Sequence, residues 1–446
     1  MSILTFKGGI HPFEGKELSK DLPIKPFSPK GELVFPLSQH IGAPATPIVE
    51  VGERVLKGQK IAEASSFVSA NIHASVSGTV TKIEPRLTLQ GTKVMSIVIE
   101  SDEKNEEFVP EIPEGGSLLE NFTKKNIIEM IKECGIVGMG GAGFPTHVKL
   151  SPKDPDAIEY VIVNGAECEP YLTSDYRRLM ETPQKIVEGL KIMLLLFDNA
   201  KGIIAIEDNK KDAIAKISEL IKDEPNICVK KLFTKYPQGG ERALIYATTG
   251  RSINSTMLPS DVGCIVNNID TVTAVYEAVA NQKPLTSRIV TVTGDAIKTP
   301  QNFEVPLGSN QGDLIEAAGG LTKECEKIIS GGPMMGTAMF DLNVPIVKTS
   351  SAILCNSVDK VKEAEKLQTA CINCGRCVQV CPGRVVPSRL AEFANHGNKE
   401  AFEKYHGMEC CECGCCSYVC PAKRNLTQAI KSMRKDILAD RRKGGK

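Results

Sequence analysis

Net charge is the first thing this chain lacks. Across 446 residues, 54 Lys and Arg balance 54 Asp and Glu. Without a basic excess there is no electrostatic footprint for general nucleic-acid binding, so no nucleic-acid partner is expected. Long apolar runs are also missing. The longest, "LKIMLLLF" (190–197), is broken by Lys191 and falls far short of the ~20 residues a membrane helix requires. The opening "MSILTFKGGIHPFEGK" has no basic end followed by an apolar core, which argues against a secretory signal. Sixteen cysteines without an export signal point away from disulfides and towards metal in a reducing compartment. The expected location is cytoplasmic, with attachment to a membrane protein left open. At this length the expectation is two to four domains.

Ten of the cysteines fall in two short stretches, "CINCGRCVQVCP" (371–382) and "CCECGCCSYVCP" (410–421). Read forward, Cys371, Cys374, Cys377 and Cys381 follow C-x2-C-x2-C-x3-C-P. Read backward from Cys420-Pro421, the same spacing selects Cys416, Cys413 and Cys410. This is the bacterial ferredoxin run. Three close thiolates serve one [4Fe–4S] cluster, and the cysteine before proline serves the other. Zinc would want one C-x2-C pair answered by a second pair or by histidines. Two complete runs favour two [4Fe–4S] clusters, a one-electron wire, with Cys411 and Cys415 off the pattern.

Residues 31–105 alternate short Val- and Ile-rich strands with turn residues. "VGERVLKGQKIAEA" (51–64) and "IHASVSGTVTKIEP" (72–85) resemble the two halves of a biotinyl/lipoyl-type barrel-sandwich. Such domains carry a prosthetic group on a turn lysine. The matching turn here, "SSFVSANIHAS", has none, so the module reads as structural and His73 as a packing or surface residue. An acidic stretch at 100–120 reads as a linker. From 120 to 285, helical and strand patterns alternate, as in an α/β layer with a mostly parallel sheet. "SRIVTVTGDAIKTPQNFEVPLG" (287–308) followed by "NQGDLIEAAGGL" (310–321) resembles the soluble-ligand-binding β-grasp (SLBB) module. The stretch from Pro421 to Lys446 holds nine Lys/Arg against two Asp, with Leu426, Ile430, Met433 and Ile437 on one helical face. It reads as a helix capping the ferredoxin domain, with docking to a partner or a membrane surface as the alternative.

"GIVGMGGAGFPTHVKL" (135–150) contains G-x-G-x-x-G at Gly138, Gly140 and Gly143, but no strand precedes it, so an ordinary dinucleotide fingerprint is not supported. Glycines in such density expose backbone N–H groups to a flat ring or a phosphate. Further along come "VIVNGAECEP" (161–170), "YPQGGERALIYATTGR" (236–251) and "IVNNIDT" (265–271). In this order the four motifs resemble those of the flavin-bearing, NADH-oxidising subunit of respiratory complex I. The resemblance implies FMN held around Gly138, Gly140, Gly141, Gly143, Lys149, Asn164, Glu167, Tyr236, Asn267 and Asn268. It implies Phe144, Glu169 and Glu241 on the NADH side. Ala166, Cys168 and Gly240 depart from the family's Asp, Ser and Glu, which removes two carboxylates near flavin and nicotinamide.

The module order, with the opening "FKGGIHPFEGKEL", resembles the RnfC family over nearly the full chain. That resemblance implies a multidomain α/β protein in seven parts: an N-terminal arm (1–30), a barrel-sandwich (31–105), an FMN/NADH α/β domain (120–285), an SLBB β-grasp (286–340), a linker (341–366), a two-cluster ferredoxin domain (367–425) and a basic C-terminal helix or tail (426–446). It implies a peripheral subunit on the cytoplasmic face of the cell membrane, working with the membrane-embedded and iron–sulfur Rnf subunits and only indirectly with ferredoxin. Two [4Fe–4S] clusters and non-covalent FMN would be the cofactors, NAD+/NADH the substrate, and no side chain need act as catalytic acid or nucleophile. The alternative is a soluble NADH-dependent reductase built from the same modules, such as a corrinoid reductase.

Overall fold

The computed structural model describes residues 3–109, 123–322 and 324–444; most of the acidic linker lies outside the described residues. The barrel-sandwich closes two antiparallel sheets on each other. Four strands run in the order Glu32–Pro36, Lys93–Ser101, Gly78–Leu87, Arg54–Val55, and three in the order Thr46–Pro47, Lys60–Glu63, Ile72–His73. Their inward residues, among them Leu33, Phe35, Val55, Ile61, Ile72, Val80, Ile97 and Ile99, are wholly buried. His73 is buried too, in keeping with a packing role.

The α/β domain is a four-stranded parallel sheet of β1 (Tyr160–Gly165), β2 (Lys201–Glu207), β3 (Ile227–Leu232) and β4 (Cys264–Asn268). Spatial order is β3-β2-β1-β4, with every neighbouring pair parallel. The chain winds outward from β1 to β3, then crosses back to lay β4 on the other side of β1. That reversal makes the carboxyl ends of β1 and β4 the switch point at which open α/β sheets bind ligands. Helices Lys124–Glu133, Pro183–Leu194, Lys211–Leu220 and Glu241–Thr249 match the periodic segments of the sequence. Two further helices, α1 (Ser174–Glu181) and α2 (Ile269–Asn281), lacked a clear signal because they follow directly on the functional loops.

The β-grasp sheet is larger than expected. It has six strands, and at its centre β5 (Ser287–Thr293) lies between β6 (Gln301–Pro306) and β7 (Ala352–Asn356). β7 falls inside the stretch expected as a linker (341–366). That expectation is corrected: "AILCN" is a buried strand, parallel to β5, too short for its periodicity to stand out. The N-terminal arm also enters the sheet, with Lys25–Pro26 pairing alongside β6.

The ferredoxin domain repeats itself. Asn373 and Glu412, Gly375 and Gly414, and Arg384 and Lys423 all take left-handed backbone conformations, and each second member lies 39 positions after the first. Short helices α3 (Arg376–Gln379) and α4 (Cys415–Tyr418) obey the same offset. The long helix α5 (Leu426–Gly444) buries Leu426, Ile430, Met433 and Ile437 against Leu390, Ala391 and Phe402. Its apolar face is therefore consumed within the domain, as a capping helix requires.

Candidate cofactor sites

The glycine loop is a closed turn over the switch point. The Gly138 N–H donates to the Phe144 carbonyl at 2.8 Å, and Val137 bridges to Pro145. A Cβ built on Gly140 would sit 2.8 Å from the Cβ of Asn268, and one on Gly143, at φ 75°, would sit 2.9 Å from Thr349 Cγ2. Glycine is thus required by close approach at one position and by backbone conformation at the other. Gly140 and Gly141 are exposed, and among the described residues the N–H groups of 140–143 donate no backbone hydrogen bond.

Beneath the loop lies the N-terminus of α2. Asn268 caps it, accepting from the Asp270 N–H at 2.8 Å, and the Met139 N–H donates to Thr271 Oγ1 at 3.0 Å. Such an end favours an anion. Asn268 Nδ2 donates to Asp175 at 2.9 Å. Asn164, opposite Asn268 in the β1/β4 register, bridges outward: its Nδ2 donates to the Gly239 carbonyl at 2.9 Å, and its Oδ1 accepts from the Ala166 N–H. Lys149 Nζ donates to the Val266 carbonyl at 2.9 Å, and burial lowers its pKa. Asn267 points elsewhere. It is buried with Nδ2 3.6 Å from Met193 Sδ, and its Oδ1 has no protein partner.

The acidic residues separate. Glu167 is buried and accepts from the Asp175 N–H at 2.8 Å, so it anchors the start of α1, with Lys16 3.8 Å away. Burial and the neighbouring Glu167 push Asp175 up to about 8. Asp175 was not visible as a site residue in the sequence, because a first-turn aspartate has the ordinary capping explanation. Glu169 is covered rather than open. It accepts from the Met334 and Met335 N–H groups at 3.2 and 2.8 Å, and burial pushes its pKa up to about 7. Glu241, by contrast, is exposed. Phe144 is half-buried at the end of the glycine turn. Gln238 is wholly buried with neither amide atom partnered. It sits inside the quoted "YPQGGER" motif, which was the signal that could have found it.

A loop with free N–H groups over a helix N-terminus suits a phosphate. The wholly unpartnered amide of Gln238 suits a ring or chain rich in polar atoms, because buried polar groups are seldom left unsatisfied. The residues present fit FMN.

In the ferredoxin domain, Cys371, Cys374, Cys377 and Cys420 line one cavity. Cys420 thus reaches across from the second run to the first. On the other side Cys381 faces Cys410 and Cys416. Among the described residues no three His, Cys, Asp or Glu side chains converge tightly enough for a single metal ion. Cys371, Cys374, Cys377 and Cys420 ring a cavity instead, which fits a cluster. Cys413 and Cys415 pack with Tyr236, Ile10 and Cys168, so the second run rests directly on the flavin-side domain. The N-terminal arm is sewn between them: Gly9 N–H donates to Val380 and Ile10 N–H to the Tyr236 carbonyl, each at 2.8 Å.

A glycine-loop crevice at a switch point, packed against paired ferredoxin-type cysteine runs, defines an iron–sulfur flavoprotein of electron transfer. Known proteins agree in every module. Residues 4–104 match the RnfC barrel sandwich hybrid domain, 131–277 the Nuo51 FMN-binding domain, 289–338 the SLBB domain and 365–386 a 4Fe-4S binding domain. The chain is 45% identical to the C subunit of the Na(+)-translocating ferredoxin:NAD(+) oxidoreductase complex of Acetobacterium woodii, over 99% of this chain and 98% of the relative. It is 44% identical to the proton-translocating counterpart of Clostridium ljungdahlii, over 97% and 94%. The C subunit of the ion-translocating oxidoreductase complex of Pseudomonas aeruginosa is 39% identical over 87% of this chain, which spans 50% of that longer relative. An NAD+-reducing [NiFe]-hydrogenase in the H2-reduced state shares the fold at TM-score 0.50 and 18% identity, over 73% of this chain and 62% of that one. The chain belongs to the RnfC family. Its cofactors are FMN and [4Fe–4S] clusters.

Proposed function

We propose that this chain is the NAD(H)-binding electron-transfer subunit of a membrane-bound, ion-translocating ferredoxin:NAD+ oxidoreductase. Membrane-embedded and iron–sulfur subunits are its partners, and ferredoxin is reached only through them. The reading is supported most by near-complete coverage of two family members at 45% and 44% identity. That coverage begins with the N-terminal barrel-sandwich, which favours this family over soluble reductases with similar modules. Among the described residues no helix is long and apolar enough to cross a membrane. The place we assign to the chain is peripheral, on the cytoplasmic face.

The work of the chain's own residues is positioning. FMN, when bound, supplies the exchange between a two-electron hydride and single electrons that a cluster needs. The glycine loop and the N-terminus of α2 hold its phosphate. Lys149, Asn164, Gln238 and Asn268 fix or support its remaining polar atoms. Tyr236 and Cys168 exclude water between that crevice and Cys413. We assign Cys381, Cys410, Cys413 and Cys416 to the cluster beside the flavin domain, and Cys371, Cys374, Cys377 and Cys420 to the outer one. Cys371 and Cys374 are exposed, which suits exchange with a partner protein. Isolation of the chain from its native membrane, with identification of what accompanies it, tests the assignment. Membrane subunits in constant ratio support it, and recovery of the chain alone in the soluble fraction overturns it.

A further inference from the structure

The glycine loop is gripped from outside its own domain. Lys348, in the segment leading to β7, is fully buried. Its Nζ donates to the Asn71 carbonyl at 2.6 Å and to the Gly135 carbonyl at 2.7 Å. Asn71 belongs to the barrel-sandwich turn that in lipoyl-type domains carries the prosthetic group. Gly135 leads into the glycine loop. Among the described residues no carboxylate lies within ion-pair distance of Lys348, and an unpaired buried ammonium is costly. Burial lowers its pKa to about 7. The groups that bear on it electrostatically are Cys134, His40 and His73. Asn71 passes a further link to Glu133, which also pairs with Lys60. His40 is pushed down to about 4 by burial and by Lys348, and burial pushes Cys134 up to about 12, so neither gains charge near neutrality.

The far end of the loop is held by the same two modules. A Cβ on Gly143 would meet Thr349 Cγ2, the Gln39 carbonyl at 3.1 Å and His40 Cα at 3.2 Å. The Ile41 N–H points at the Gly143 carbonyl at 3.4 Å, and the Lys348 N–H donates to Gln39 Oε1 at 3.2 Å. Just beyond the loop, His147 contacts the Phe67 carbonyl at 3.3 Å and the Phe67 ring edge-on.

We propose that the barrel-sandwich, having no lysine to modify, serves as a clamp that pre-organises the glycine loop for flavin, with Lys348 as the positioning residue joining clamp and loop. The inference rests on FMN binding at that loop. A preformed loop offers its N–H groups without an ordering cost at the moment of binding. The ammonium matters because hydrogen bonds from a charged donor are stronger than those from a neutral amine.

The test uses the full chain, prepared anaerobically and stripped of flavin, with FMN affinity measured from about pH 6 to about pH 9, across the titration of Lys348. Lys348→Met is expected to bind FMN at least about ten-fold more weakly at the acid end, a loss of ~1.4 kcal/mol, with iron content unchanged. Wild-type affinity is expected to decline relative to the variant as the ammonium is lost. A variant within about two-fold of wild type, with a parallel pH profile, overturns the clamp. Gly140→Val separates the two ideas: if it too binds FMN normally, the loop assignment fails, whereas its loss of FMN beside an unaffected Lys348→Met condemns the clamp alone. Should Lys348→Met not fold, hydrogen exchange on flavin-free wild type decides. The clamp requires the bonded amides of 70–73 and those of Gly138 and Met139 to open in one cooperative step, and independent opening contradicts it.

Discussion

The thiol of Cys415 lies 3.9 Å from the backbone carbonyl oxygen of Tyr236, and both residues are 1% exposed. Cys415 stands 39 positions after Arg376, which is exposed. The same place in the two repeats is thus solvated in the first run and an interface in the second. A small apolar thiol suits that interface without being a cluster ligand.

The frame of the second run follows from this repeat. Cys411→Ser and Cys415→Ser are expected to retain both clusters, with about eight iron per chain. Cys420→Ser is expected to damage the cluster held by Cys371, Cys374 and Cys377, not the one beside its own neighbours. EPR of the reduced variants reads the difference, and loss of a cluster signal in the Cys411 or Cys415 variant contradicts the frame.

Gly140→Val places new side-chain atoms against Asn268, where a Cβ alone already comes to 2.8 Å. The expected outcome is loss of bound FMN with iron and sulfide unchanged. Flavin at full occupancy would sink the loop assignment.

Nucleotide choice is expected to favour NADH over NADPH, since carboxylates repel a 2′-phosphate. The structure moves the weight of that effect from Glu169, which is covered by the Met334–Met335 backbone, to exposed Glu241. Glu241→Gln should therefore raise flavin reduction by NADPH more than Glu169→Gln does; the reverse order counts against this division. Glu169 has its own signature. Its folded pKa, about 7, is raised above the unfolded carboxyl value. The folded state then holds the extra proton between about 4.5 and about 7, and stability falls as pH rises through that window. Thermal unfolding of Glu169→Gln from about pH 5.5 to about pH 8 should show a shallower decline than wild type.

Glu409 fastens the ferredoxin domain to the flavin domain. It pairs with Arg242 at 2.8 Å and accepts from the Ser255 N–H at 2.9 Å and Oγ at 2.6 Å. Hydrogen bonds to charged groups are worth about 1.5–3 kcal/mol when shielded and less at a partly exposed site such as this. Glu409→Ala is expected to keep FMN and both clusters yet slow electron exchange between them in stopped-flow traces. An unchanged rate would show that this contact does not set the spacing.

Periodicity carried the parallel sheet, and spacing carried the grouping of Cys371, Cys374 and Cys377, which line one cavity with Cys420, because both are local patterns repeated along the chain. What stayed hidden depends on long-range contact. Lys16 donates to the Leu172 and Glu169 carbonyls across more than 150 positions, and the Gly331–Gly336 turn closes over Glu169 from another module. Lys348 has no sequence signal, since a lone lysine in "PIVKTSS" reads as solvated until its burial is seen. β7 was missed for a related reason: four apolar residues and an asparagine look the same in a linker and in the centre of a sheet.

Electron passage between clusters and nicotinamide is the central claim. The most direct measurement reduces the purified, FMN-loaded chain photochemically under anaerobic conditions, removes excess reductant and adds NAD+. The account predicts cluster reoxidation together with NADH appearing at 340 nm, one NADH for every two electrons lost, and no NADH from flavin-free chain. Clusters that stay reduced in the presence of FMN and NAD+, or NADH formed equally well without flavin, would contradict it.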